Sequence, residues 1–326
     1  MTENTLLTTE TRAEFRKAVD ENANLSAQLR KDSLSFSRLS EVPSRTVDGV
    51  VPVTFHRKCG RTEVVTSENT DDLIDRITAA AKLEGAEVIF TPEYSLFTTA
   101  DKSEPIVLQD GAIIAGQETV VDTIQRAVSL AQTTHKTIAL STVCEQVTLQ
   151  TGKEIALNTA LIISQDGKIT PRRKYGDMFS MIKTDSGWSN QVMDKLSPDE
   201  NAELDKLVLG TVRNFIVTDK DGQQKSAAVI ICHEVNQSAI YDRIPSDTDL
   251  VLVPISGNPG HLGGIHLDTS ENRLSSFITI NSIRSRMNFN TDEEPLLIAV
   301  NDERTEASAV VKFGKHGVEQ AGVFKG

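Results

Sequence analysis

Apolar residues change their spacing once along this chain. Between Thr9 and Leu39 they are sparse (Phe15, Ala18, Leu25, Leu29, Leu34), and no Gly or Pro interrupts the segment. Such a thin stripe predicts one or two amphipathic helices, closed by Pro43. From residue 48 helical periods alternate with short apolar runs. Helical spacing covers Asp71–Leu83, Glu118–Thr134 and Asn272–Arg286. The Asp residues of the first suit a helix N-terminus, and Gly85 follows its end. Strand runs are predicted at Val50–His56, Ala86–Thr91, His135–Val143, Ile155–Ser164, Ile169–Lys174, Thr211–Val217, Ser226–Cys232, Asp249–Ile255, Leu296–Val300 and Ala307–Phe313. Asp166–Gly167 and Asp221–Gly222 each join two of these runs as hairpin turns. Alternating helices and buried strands predict an α/β fold. The hairpins make its sheets mixed rather than wholly parallel. About ten to twelve strands with few helices suggest two sheets between helical layers. Residues 1–45 form a helical extension, and 46–326 read as one domain.

Composition narrows the function. The 326 residues carry a net charge of −12, with one short basic cluster at Arg172–Lys174. A nucleic-acid partner is therefore not expected, since phosphate neutralisation needs a basic surface. The apolar runs fall far short of the ~20 residues that span a bilayer. A hydrophobic share of 38% is too high for a disordered chain. The N-terminus lacks a basic segment followed by an apolar one, so no secretory signal is expected. Three cysteines (Cys59, Cys144, Cys232) and six scattered histidines do not form a disulfide framework or a zinc pattern. No metal site is expected, and the compartment that fits is a reducing cytoplasm.

Four ionisable residues stand at or near the ends of apolar runs, where α/β sheets commonly place chemistry. Glu93 follows AEVIFTP, Glu145 follows TIALSTVC, Lys174 lies in PRRKYG, and Cys232 ends AAVIIC. A thiol becomes a nucleophile through a base or a positive neighbour. A carboxylate can take its proton. A lysine can stabilise a tetrahedral oxyanion, with the backbone N–H of His233 as a second donor. His233 directly follows Cys232, so on a strand it points to the opposite face, and a Cys232–His233 dyad is not expected. Arg172, Arg173 and His233 are candidates to hold a substrate carboxylate.

Taken in order, the motifs resemble the nitrilase, or carbon–nitrogen hydrolase, superfamily over roughly residues 48–320. The first block is ITAAAKLEGAEVIFTPEYSLF, the second LNTALIISQDGKITPRRKYGDMF, and the third AAVIICHEV, followed by the strand DTDLVLVPIS. The resemblance implies a four-layer α-β-β-α sandwich that forms a homodimer or a higher homo-oligomer. It implies Glu93 as general base, Lys174 as stabiliser of the intermediate, Cys232 as nucleophile, and Glu145 as a supporting acid that orients Lys174 or the substrate. It implies no cofactor or metal. The substrate would be a small amide or nitrile. An amide fits better, because His233 stands where true nitrilases carry Trp. Residues 186–206, polar and acidic with the chain's single Trp, lie outside the family pattern; they read as a solvated loop and helix or as a lid. Two alternatives share these residues: a soluble N-acyltransferase, in which an amine intercepts the thioester, and a non-catalytic scaffold or binding protein.

Overall fold

The computed structural model describes residues 46–57, 63–177, 179–190, 192–256, 283, 295–303, 307–314 and 317–325. The helical extension and the segment 272–286, Ile283 apart, lie outside them, as do Cys59, His261, His266 and His316. Two sheets form the body. The first contains β1 (Val50–Pro52), β2 (Val88–Phe90), β3 (Ile106–Gln109), β4 (Ala112–Ala115), β5 (Thr137–Thr148), β6 (Glu154–Ile163), β7 (Ile169–Arg173), β8 (Met181–Thr184) and β9 (Gly187–Ser189). The second contains β10 (Phe215–Thr218), β11 (Gln224–Val229), β12 (Leu250–Ile255), β13 (Leu296–Asp302), β14 (Ala307–Gly314) and β15 (Gly317–Lys325).

Both sheets are mixed. β1, β2 and β5 run parallel, and β6 pairs antiparallel with β5, β7 and β8. β11, β12 and β13 run parallel between antiparallel partners. Both Asp-Gly hairpins form as expected, linking β6 to β7 and β10 to β11. Gly167 and Gly222 adopt the positive φ that such turns need. A third Asp-Gly turn, at Asp110–Gly111, links β3 to β4.

The long helices Ser67–Ala81 and Glu118–Thr134 bury Leu73, Ile77, Ile124 and Ala127 against Ile89, Ile138 and Leu140 of the first sheet. The first helix starts four residues before the predicted Asp71, because Thr66 caps it by accepting from the Asn69 N–H. The other face of the sheet packs on the second sheet. There Val88, Phe90, Ala139, Ala160 and Ile162 meet Val229, Ile231, Leu250, Leu252 and Ala299. Burial of a side chain such as Phe90 contributes roughly 1.5–3 kcal/mol. Polar contacts also cross between the sheets: the fully buried Asn301 on β13 donates to the carbonyls of Val53 and Phe90, at 3.0 and 2.9 Å.

The segment 186–206 contains the expected helix, and part of what precedes it is strand rather than loop. Trp188 lies on β9, which extends the first sheet by pairing with β8. The helix Pro198–Leu209 opens with a Ser197–Glu200 capping box. Leu196, Leu204 and Val208 pack onto Val147, Leu149, Ile155 and Ile182. Among the described residues no helix is long and apolar enough to cross a membrane.

Candidate active site

Three strand ends deliver the predicted residues to one place. β2 ends at Phe90, and Pro92 stops it, so the chain turns through Glu93. That turn is tied to β5 where its register against β6 shifts, between Leu140 and Val143. Ser95 N–H donates to the Ser141 carbonyl, Leu96 N–H to the Thr142 carbonyl, and Tyr94 N–H to Thr142 Oγ1. β7 ends at Arg173, and the next residue, Lys174, donates its N–H to the Asn158 carbonyl at 2.8 Å. β11 ends at Val229, and after Ile230 and Ile231 the chain enters a short 3₁₀ turn, Cys232–Asn236.

Glu93 and Lys174 meet as a buried ion pair, with Lys174 Nζ 2.6 Å from Glu93 Oε1 and both residues no more than 3% exposed. Lys174 is thus not the solvated residue that an Arg-Arg-Lys run ordinarily provides. Asn158 Nδ2 donates to the same Glu93 oxygen at 3.1 Å. Among the described residues Glu93 Oε2 has no hydrogen-bond partner. The Cys232 thiol lies close enough to this carboxylate to feel its charge. A second buried carboxylate, Asp177, stands 3.2 Å from Lys174 Nζ. The ammonium also lies over the Tyr94 ring, 5.5 Å from its centroid.

The electrostatics follow from burial and these neighbours. Burial disfavours the Lys174 ammonium, but the charges of Glu93 and Asp177 outweigh it and hold the lysine well above its ordinary value. Burial, and after it the Glu93 charge, pushes the Cys232 thiol up to about 12. The Lys174 charge and a hydrogen bond from the Ser256 backbone act in the opposite direction. The resting site therefore holds a neutral thiol beside a carboxylate–ammonium pair. Burial likewise raises the Cys144 thiol, which lies inside an aromatic cluster with Tyr94 and Phe97. Tyr94 and Cys232 both adopt positive φ, at 63° and 50°. Non-glycine residues in this region cost about 1–3 kcal/mol each and concentrate at functional sites.

Glu145 is placed differently from the other three. β5 continues past Val143, so Glu145 lies within a strand opposite Leu157 rather than at a strand end. Arg173 grips it with two bonds, Nε–Oε2 at 2.9 Å and Nη2–Oε1 at 2.7 Å, and Thr159 donates to Oε2 at 2.8 Å. Its reach toward Lys174 is thus through Arg173, the preceding residue. Arg172 pairs with Glu234 at 2.7 Å. Both guanidinium groups offered for a substrate carboxylate thus hold internal carboxylates. The His233 ring is half-buried beside the Lys174 loop, its Nε2 3.8 Å from where a Cβ on Gly176 would stand.

Sequence reasoning gave no role to Asn158, Asp177 or Glu234. Asn158 had a usable signal, a polar residue inside the apolar strand LNTALII. Among the described residues no three His, Cys, Asp or Glu side chains are grouped as metal ligands would be.

No family model and no curated protein matches the sequence. Solved structures that resemble it across most of the chain are nitrilase-superfamily amidases and carbon–nitrogen hydrolases at low identity. A mutant of the Nesterenkonia AN1 amidase from the nitrilase superfamily is 15% identical, covering 86% of this chain and 88% of its own, with a TM-score of 0.44. Saccharomyces cerevisiae Nit3, a member of branch 10 of that superfamily, is 16% identical over 80% of this chain and 82% of its own, at 0.46. A carbon–nitrogen hydrolase from Helicobacter pylori G27 is 12% identical over 85% of each chain, at 0.44. At these identities and scores the likeness assigns no role to any residue.

Proposed function

We propose that this protein hydrolyses a non-peptide carbon–nitrogen bond, that of a small amide rather than a nitrile, through a thioester on Cys232. The observation that carries the reading is the buried Glu93–Lys174 pair close to the Cys232 thiol. In the proposed cycle the Cys232 sulfur attacks the amide carbon as its proton passes to Glu93. The oxyanion that forms is stabilised by the Lys174 ammonium and the His233 backbone N–H, each such donor worth on the order of 3 kcal/mol. Protonated Glu93 returns its proton to the departing nitrogen, and ammonia leaves. Water, activated by Glu93, then attacks the thioester and releases the carboxylic acid and the thiol. Asp177 and the Arg173–Glu145 pair hold Lys174 in place. The scheme calls for no metal or cofactor.

The same reading takes 46–326 as one hydrolase domain, an α-β-β-α sandwich that assembles as a homodimer or higher homo-oligomer in the cytoplasm, with 1–45 as a helical extension. A screen of small amides, carbamoyl compounds and nitriles for ammonia release tests the activity, with Cys232→Ala as the control. The expected result is release from at least one amide by the native protein and none by the variant. Equal release by both would remove Cys232 from the chemistry. Transfer of the acyl group to an added amine in preference to water would favour an acyltransferase instead.

A further inference from the structure

We infer that Arg172 and Glu234 form a positioning clamp that sets Cys232 against Lys174. The inference rests on the nucleophilic role proposed for Cys232. Glu234 is fully buried and Arg172 is 3% exposed. One Glu234 oxygen, Oε1, accepts the N–H of Tyr175 at 2.6 Å. The other, Oε2, accepts the N–H of Ile231 at 2.7 Å and Arg172 Nη2 at 2.7 Å. A single carboxylate thus binds the peptide group just after Lys174 and the Ile230–Ile231 peptide group, one residue short of Cys232.

Arg172 completes the link. It stands on β7 of the first sheet, two residues before Lys174, and its Nε donates to the Val229 carbonyl, at the end of β11 of the second sheet, at 3.1 Å. Its Nη1 donates to the Arg173 carbonyl. All three guanidinium nitrogens are therefore engaged, two of them across the gap between the sheets. Lysine offers one compact donor group and cannot reproduce this fork. Apart from their mutual pair, these contacts are all to backbone groups, so both side chains act through the backbone. What the clamp holds is strained: Cys232 sits at φ 50°, where a non-glycine residue stays only if its surroundings fix it. Released from Ile231 and Tyr175, the turn would relax, and the thiol would move relative to Glu93 and Lys174. A misplacement of about 1 Å costs roughly 10²-fold in rate.

The test uses the full-length protein with Glu234→Gln and, because a buried charge is left behind, Arg172→Lys as a second variant. Two readouts are taken on the folded fraction, defined by circular dichroism. The first is turnover of any amide found by the screen. The second is the pH profile of iodoacetamide labelling at Cys232, mapped by peptide mass spectrometry with Cys144 as internal reference. The clamp predicts roughly 10²-fold loss of kcat with KM little changed. It also predicts a Cys232 profile that moves down from about 12 toward the ordinary thiol value of 9.0, with Cys144 unmoved. A purely structural pair would lower the melting temperature and leave both readouts as in the native protein, and that result overturns the proposal. If one variant does not fold, the other decides. Absence of turnover in the native protein would count against the hydrolase reading alone, since the labelling profile reports the clamp without a substrate.

Discussion

Replacing Glu93 by glutamine separates two roles that this carboxylate plays on the same thiol. As a fixed charge it adds to burial, the larger cause, and together they hold Cys232 at about 12 rather than 9.0. At pH 7 that lowers the thiolate fraction from ~10⁻² to ~10⁻⁵, a difference of about 4 kcal/mol. As a base it removes the same proton at the moment of attack, a contribution of typically 10²–10⁴-fold. The neutral amide in Glu93→Gln would supply neither charge nor base. The Cys232 thiol should then titrate below its present value, because the Glu93 charge is gone and Lys174 remains. Iodoacetamide needs only thiolate, so labelling of Cys232 at pH 7–9 should become faster, while amide turnover falls about 10²–10⁴-fold. Loss of one member of a buried ion pair also costs about 3–5 kcal/mol of stability, so both rates are referred to folded protein. Labelling rates come from timed acid quenches and peptide mass spectrometry, and turnover from ammonia release. Turnover that survives in Glu93→Gln would refute the assignment of the base. Slower labelling would refute the electrostatic account of the thiol.

Three other outcomes follow from the packing. Glu145→Gln removes the carboxylate that Arg173 grips from within the first sheet, and should cost about 3 kcal/mol of stability. Turnover per folded molecule should fall less than tenfold, because Glu145 acts through Arg173; a collapse of turnover at unchanged stability, read by denaturant unfolding, would place it among the reacting groups. Gly116 has φ +141° and leaves only 2.9 Å between a built Cβ and the Ile106 backbone, so Gly116→Ala should destabilise by about 1–3 kcal/mol; an unchanged urea midpoint would contradict this. Glu200 is lowered from 4.5 to about 2, first by its hydrogen bond from Lys153 and then by those from Ser197 and Thr151. A depressed carboxylate contributes stability that is fully present above 4.5 and is lost as pH falls toward 2. Glu200→Gln should therefore unfold more easily than the native protein above pH 4.5, and the gap should close on acidification. A gap that stayed constant down to pH 2 would argue against the linkage.

The parts of this fold that were legible in the sequence are those set by local pattern. The helix Glu118–Thr134 carries its own periodicity and ends where predicted. The two Asp-Gly hairpins declare themselves because few residues other than glycine accept their backbone. The β3–β4 hairpin escaped although it too turns on Asp-Gly. Its strands have four residues each, mostly exposed or half-exposed, and show no alternation of buried and open positions. At the site, Glu93, Lys174 and Cys232 stood out because each breaks or ends an apolar run. The pairings did not stand out. Arg172 and Glu234 are 62 residues apart in the chain, and nothing local shows that a basic cluster folds inward between two sheets. Asp177 follows Lys174 by three residues, yet only the folded loop turns its carboxylate onto the ammonium. Glu145 was misplaced to a strand end because the run of apolar residues stops at Cys144, while the ladder with β6 continues to Thr148.

The central claim is that Cys232 carries the acyl group. The direct measurement is to mix the native protein with each amide that releases ammonia, quench in acid within the first turnovers, and map the peptides by mass. The account predicts a mass increase equal to the acyl half of the substrate on the Cys232 peptide, absent from Cys144 and Cys59, and no ammonia from Cys232→Ala. Undiminished ammonia release by Cys232→Ala, or an acyl group on another residue in its place, would contradict it.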